Sequence, residues 1–228
     1  MLRTRFSSER NFVPVPSTRD ELVGIRTPDW GSDKPGLKAT WFGHASFLIE
    51  TSKEKGASRG IRILVDPVFS DCMSPFSFVG PKRFSPLPCA LDEVPDVDLV
   101  VISHNHYDHL DLWTIKEVYK SRKGKVHFLC ALNLKTWFLG CGISDHEVTE
   151  LDWWDEAKVN VEGIGSVKLA CTPAQHMSAR TAWDTSCTLW CSWVLEELEM
   201  VEKKRLYFAG KPCSFFSCVC RRFCVCRG

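Results

Sequence analysis

No apolar run in the sequence approaches the roughly 18 residues needed to cross a bilayer. The first residues, MLRTRFSSERNFVPVPSTRDE, lack the apolar segment of a secretory signal, and Glu9, Asp20 and Glu21 argue against a transit peptide. An excess of one charge is missing too. Twenty-nine basic and 28 acidic residues leave a formal net charge of +1, which gives no reason to expect nucleic acid as a partner. These absences make the expectation a cytoplasmic protein, with peripheral attachment to a membrane left open. Histidine is scarce, at seven residues, and the functional reading turns on where those seven fall.

A length of 228 residues fits one full-sized domain, and 44% apolar with 25% charged residues is ordinary for a globular protein. Twelve cysteines is high without a secretory signal, and they form two populations. Cys72, Cys89, Cys130, Cys141, Cys171, Cys187 and Cys191 are scattered among apolar neighbours and read as free buried thiols. The other five crowd into the last 16 residues.

Along the chain, residues 1–37 read as an extended, polar lead-in. KATWFGHASFLIET (38–51) and IRILVDPV (61–68) read as two strands joined by a hairpin. Residues 69–97 are rich in proline and have no sustained period, the mark of a functional loop inside a compact domain. DLVVIS (98–103) is a continuous apolar run, as in a strand buried on both faces. Leu112, Ile115, Val118 and Tyr119 keep helical spacing up to Gly124. KVHFLC (125–130) predicts a strand and NLKTWFLG (133–140) a short helix. VNVEGIG, SVKLACTP, CTLWCSWVLEE and KRLYFAG predict strands between 147 and 209. Strands with interspersed helices imply an α/β arrangement of sheets packed against helices.

SHNHYDHL (103–110) places His104, His106, Asp108 and His109 directly after the buried strand. Burying such a cluster without a cation is expensive, and imidazole with carboxylate suits zinc. His104 and His106, two apart, converge on one metal; Asp108 and His109 turn toward a second. His176, in CTPAQHMSAR, follows another strand end and reads either as the source of a third imidazole for the first metal or as a lone histidine without a role. His44, after Gly43, reads either as a partner holding a ligand in place or as a satisfied core histidine. Asp66 either accepts a ligand histidine's N–H or starts a turn beside Pro67. His127 and His146 receive no role.

The set HNHYDH, preceded by DLVVIS and ILVDPVFS, resembles the metallo-β-lactamase superfamily. ATWFGHASFLIE, VGPKRFSPLP, ISHNHYDHLD, LDWWDE and TPAQHMSARTAWDTSCTLWCSW narrow the likeness to the family of phospholipases D that hydrolyse N-acylphosphatidylethanolamine, over about residues 12 to 210. The resemblance implies an αββα sandwich over residues 38–210. It implies two zinc ions, one on His104, His106 and His176 and one on Asp108 and His109, with Asp108 also orienting the attacking water. The implied reaction releases N-acylethanolamine and phosphatidic acid, and a homodimer follows from family likeness alone. Phe76, Phe78 and Phe84 with Lys82 and Arg83 form an aromatic and basic mixture suited to a phospholipid surface, or else pin the loop to the core.

The chain departs from the family pattern at Met177 and, more seriously, after Gly210. YFAG is followed by Lys211 and Pro212 where the family has Asp-Thr, and CSFFSCVCRRFCVCRG contains no histidine, aspartate or glutamate. The expectation is therefore a sandwich incomplete at its C-terminus, marginally stable and aggregation-prone, that retains one zinc. The segment 211–228 reads as outside the family pattern: a soft-metal site, an acylated anchor, or translated sequence foreign to the domain. Three functions compete. They are the lipid phosphodiesterase, a lactonase or phosphodiesterase for soluble metabolites, and a catalytically inactive fragment.

Overall fold

A computed structural model describes residues 24–210, except 32, 33, 77, 201 and 202. The lead-in up to residue 23 and the segment from Lys211 onward, with its five cysteines, lie outside the described residues. Two sheets carry the structure. The first has six strands in sequential order: β1 (Lys38–Gly43), β2 (Ser46–Glu50), β3 (Arg62–Val65), β4 (Leu99–Ile102), β5 (His127–Ala131) and β6 (Val148–Leu151). Strands β1 to β3 run antiparallel and β3 to β6 parallel. The second sheet is antiparallel, ordered β10-β9-β8-β7, from β7 (Glu156–Val161), β8 (Gly165–Thr172), β9 (Ser192–Glu197) and β10 (Arg205–Phe208). Helix α1 (Leu112–Arg122) and the short α2 (Lys135–Gly140) connect β4, β5 and β6.

The unbroken apolar run of β4 has a direct cause, because every residue of this strand is buried. Side chains alternate across a strand. Val100 and Ile102 therefore meet Ile115 and Val118 of α1 and Phe138 of α2, in a core shared with Phe128 and Cys130 of β5. Leu99 and Val101 point the other way, into a second core with Ile63, Leu129, Val167, Leu169, Trp193 and Leu195. The first sheet thus lies between a helical layer and the second sheet, as the expected sandwich requires. Among the described residues no helix covers the outer face of the second sheet, where β7 alternates exposed and half-buried positions. Each fully buried aliphatic side chain contributes about 1.5–3 kcal/mol. A charge at Val101, 0% exposed, would therefore separate the two sheets.

Several local expectations are corrected. KATWFGHASFLIET is not one strand but the pair β1 and β2, which turn at Gly43 and His44 with φ of 96° and 50°. The left-handed backbone there ends the first strand before its apolar pattern does. β2 then pairs with β3 as the predicted hairpin. Residues 187–191 belong to a loop, since β9 begins at Ser192. Cys187 is exposed, whereas Cys72, Cys130, Cys171 and Cys191 are buried as expected. Residues 69–97 form the irregular segment foreseen, with isolated bridges Cys72↔Lys82 and Phe76↔Val79 and one 3-10 turn, Leu91–Glu93.

Candidate metal centre

The parallel strands β3 and β4 end side by side, and their carboxyl ends present the polar residues. Asp66 follows β3 in a left-handed conformation, φ 40°, and its amide donates to the Val101 carbonyl at 3.0 Å. Its carboxylate, completely buried, accepts the Ser103 amide at 2.7 Å and the Ser103 hydroxyl at 2.5 Å. His109 Nδ1 completes the set at 2.7 Å from Asp66 Oδ2. A buried carboxylate against a histidine nitrogen fixes the tautomer: Nδ1 carries the proton and Nε2 is left as a lone pair. Residues 104–110 wrap into a turn, with the amides of His109 and Leu110 both donating to the His106 carbonyl at 3.0 and 2.8 Å.

Three imidazoles meet above this turn. His104 Nε2 lies 2.9 Å from His106 Nδ1, and His176 Nε2 lies 2.9 Å from His104 Nε2 and 3.2 Å from His106 Nδ1. A ring nitrogen bears at most one proton, directed in the ring plane. Three nitrogens facing one another therefore cannot satisfy every pairing by hydrogen bonds, whereas a cation among three lone pairs can. Tetrahedral nitrogen ligands about 2.0–2.1 Å from zinc lie about 3.4 Å apart, close to the spacing found. The protonation state agrees. Burial pushes the His104 pKa far down, helped by repulsion from His109, His176 and His106, so this ring is neutral and ligand-ready. The donor set fits a divalent cation.

A second cluster adjoins the first. His44, Asp108 and His109 bring one ligand atom each within 4.8 Å of one another. His44 Nε2 is 2.9 Å from Asp108 Oδ2, and His109 Nε2, buried and without a hydrogen-bond partner, is 3.8 Å from the same oxygen. The set Asp66, His104 and His109 also meets this spacing, but Asp66 already receives three donors.

His176 comes from the loop between β8 and β9, which hydrogen bonds from four residues hold in place. The Cys191 amide donates to the Ser103 carbonyl at 3.0 Å, and Trp193 Nε1 donates to the Ile102 carbonyl at 3.2 Å. Trp190 Nε1 donates to the Ala174 carbonyl at 2.8 Å, two residues before His176. Most directly, Arg180 Nη1 donates to the carbonyls of both Asn105 and Leu110 at 2.9 Å, while its guanidinium covers the Tyr107 ring at 4.0 Å. One side chain thereby locks the two histidine-bearing loops together. Arg180 and Ser103 were invisible as functional residues in the sequence, because neither lies in a spacing that speaks of its partner.

Each sequence-derived site residue can now be located. His104, His106, Asp108, His109 and His176 lie close together, and Asp66 stands behind His109. His44 is no core histidine; it touches Asp108 itself. Phe76, Phe78 and Phe84 are 57%, 77% and 53% exposed, beside an exposed Lys82, so they do not pin the loop to the core. Arg83 departs from expectation. It is buried, donating to the Val68 carbonyl at 2.8 Å and the Phe42 carbonyl at 2.9 Å, so its charge braces the β1–β2 turn instead of facing a lipid. Burial lowers its pKa, with Asp71 and Asp111 opposing.

Comparison with known proteins identifies the family. Residues 61–214 match the beta-lactamase superfamily domain. The chain is similar to the N-acyl-phosphatidylethanolamine-hydrolyzing phospholipase D 1 of Caenorhabditis elegans, 35% identical over 211 residues, covering 90% of this chain and 56% of that protein. The mitochondrial N-acyl-phosphatidylethanolamine-hydrolyzing phospholipase D of Saccharomyces cerevisiae is 33% identical over 79% of this chain and 34% of its own length. A metal-dependent hydrolase of Koribacter versatilis is 28% identical over 67% of this chain and 53% of its own. The chain spans about half the length of the first of these relatives. Among solved structures, the metallo-beta-lactamase fold protein YhfI of Bacillus subtilis aligns with a TM-score of 0.37 at 11% identity, over 74% of this chain and 57% of that one. With well over half its residues matched by the family model, the chain belongs to the beta-lactamase superfamily.

Proposed function

We propose that the chain, with residues 38–210 as its catalytic domain, is a zinc-dependent hydrolase. It cleaves the phosphodiester of N-acylphosphatidylethanolamine to N-acylethanolamine and phosphatidic acid. The observation that carries the reading is the meeting of His104 and His106 with His176, 72 and 70 positions away in sequence. The substrate class rests on the nematode and yeast relatives, whose names state that activity. The exposed Phe76, Phe78 and Phe84 with Lys82 support a lipid surface as the place of action. A cytoplasmic, membrane-peripheral chain that pairs with a second copy belongs to the same reading.

In this reading His104, His106 and His176 hold the one zinc that the sequence is expected to retain, and Asp108 and His109 would serve the second that the family likeness implies. Zinc supplies Lewis acidity and a water that ionises near neutrality. Asp108, partly buried at the mouth of the cluster, orients the attacking water and accepts its proton. Asp66 keeps His109 in the tautomer that offers Nε2, and Arg180 keeps the two loops in register. Water adds at phosphorus, the bond from phosphorus to the ethanolamine oxygen breaks, and that oxygen leaves with a proton. Purified chain with added zinc, given N-acylphosphatidylethanolamine in mixed micelles, should release phosphatidic acid. Release should cease in His106→Ala and on chelation. A zinc-loaded wild-type chain that releases none refutes the reading.

The burial of Arg83 favours a second reading, because it removes one of two basic groups from the lipid-facing loop. There the same centre hydrolyses a soluble phosphodiester or lactone. Turnover of such substrates, with none in micelles, would select it.

A further inference from the structure

We propose that His44 is a direct ligand of the second divalent cation, completing with Asp108 and His109 a two-nitrogen, one-carboxylate set. This rests on the metal-centre reading but adds a ligand from a part of the chain remote from both histidine loops. Three observations carry it. First, His44 Nε2 approaches Asp108 Oδ2 to 2.9 Å, and the ligand atoms of all three residues share one small space. Secondly, His109 Nε2 is wholly buried, made a lone pair by the bond from Nδ1 to Asp66, and has no hydrogen-bond partner. Such a group points to an occupant.

Thirdly, the backbone is built to present His44. Its φ of 50° is a conformation that L residues other than glycine rarely adopt, and such positions persist where the surroundings enforce them. Two neighbours do so. Trp41 Nε1 donates to the His44 carbonyl at 2.9 Å, and the buried Arg83 guanidinium grips the Phe42 carbonyl. Gly43 gives that guanidinium room, since a Cβ there would stand 3.1 Å from Arg83 Nη2. A histidine that merely packed would need none of this. His44 is also open to solvent, with 32% of its side chain exposed, so the set leaves coordination positions for water or substrate, as catalytic sites do. Two imidazoles and one carboxylate suit zinc, cobalt or manganese.

The test is cation stoichiometry of the full chain after dialysis, by elemental analysis, with folding checked by circular dichroism. Each variant is compared with wild type so that the C-terminal cysteines contribute equally. His44→Ala should lose one zinc per chain, and His176→Ala should lose the other. His44→Cys should regain the cation, and with cobalt it should add a near-ultraviolet thiolate-to-metal charge-transfer band to whatever the C-terminal cysteines give in wild type. If His44→Ala keeps the wild-type stoichiometry and cobalt spectrum, or if His44→Cys with cobalt adds no charge-transfer band, the assignment is wrong. In either case the histidine only orients Asp108. Loss of cation in His176→Ala alone would leave the proposed hydrolase intact while refuting the role of His44, so the two failures are separable.

Discussion

Removal of the Arg180 guanidinium tests the claim that one side chain joins the two histidine loops. In Arg180→Ala the carbonyls of Asn105 and Leu110 lose charged donors at 2.9 Å, and Tyr107 loses a cation 4.0 Å from its ring. Hydrogen bonds to charged groups are worth about 1.5–3 kcal/mol each, and a partly exposed cation–π contact about 0.5–1 kcal/mol. Arg180 is only half-buried, so the lower ends apply, and about 1–2 kcal/mol of rotamer entropy returns on truncation. The net loss is then about 2 kcal/mol. For a urea slope of about 2 kcal/mol/M, the unfolding midpoint falls by about 1 M. Because the strain falls on the loops that hold the imidazoles, zinc affinity measured by chelator competition should weaken by at least about tenfold. Arg180→Lys should recover part of the stability, since an ammonium reaches carbonyls but does not stack flat on Tyr107. A metal-free Arg180→Ala chain within about 0.5 kcal/mol of wild type, binding zinc equally well, would refute the reasoning.

Two further outcomes follow from the same geometry. Burial raises the Asp184 pKa, but hydrogen bonds from the Thr181 and Arg180 amides outweigh it, and the net shift is downward. A lowered folded pKa means that this carboxylate stabilises the His176 loop above its unfolded value of about 3.9 and ceases to as pH falls through the folded value. Acid titration of Asp184→Asn should therefore lack that increment below about pH 4 and start from a less stable protein at pH 7; superimposable titration curves would contradict it. Phe78→Ala combined with Phe76→Ala should change urea stability by less than about 0.5 kcal/mol, because both rings are largely exposed. The same pair should reduce cosedimentation with anionic phospholipid vesicles, and unchanged vesicle binding would remove the lipid-facing role of this loop.

The first histidine cluster was legible because its residues are close in sequence. A strand ending in SHNHYDHL states both where the ligands are and what element presents them. The two-sided burial of β4 was legible for a similar reason, since a strand covered on both faces has no polar alternation to show. The β1–β2 turn was not, because the apolar pattern runs straight through Gly43 and His44 and only the left-handed backbone interrupts it. Arg83 misled for a different reason. Its neighbours Phe84 and Lys82 are exposed, and nothing local announces that its own guanidinium turns inward to two carbonyls.

By itself, then, the amino-acid sequence determined the residue types, the strand that ends at the metal-binding turn, and the apolar periodicity that stacks sheet on sheet. These are short-range properties, set by neighbours within a turn or two. Only the tertiary structure decided that His176 closes on His104 and His106, that Asp66 selects the His109 tautomer, and that His44 faces Asp108. Those relations join segments tens of residues apart, and their distances depend on how the two sheets and three loops pack rather than on any local pattern.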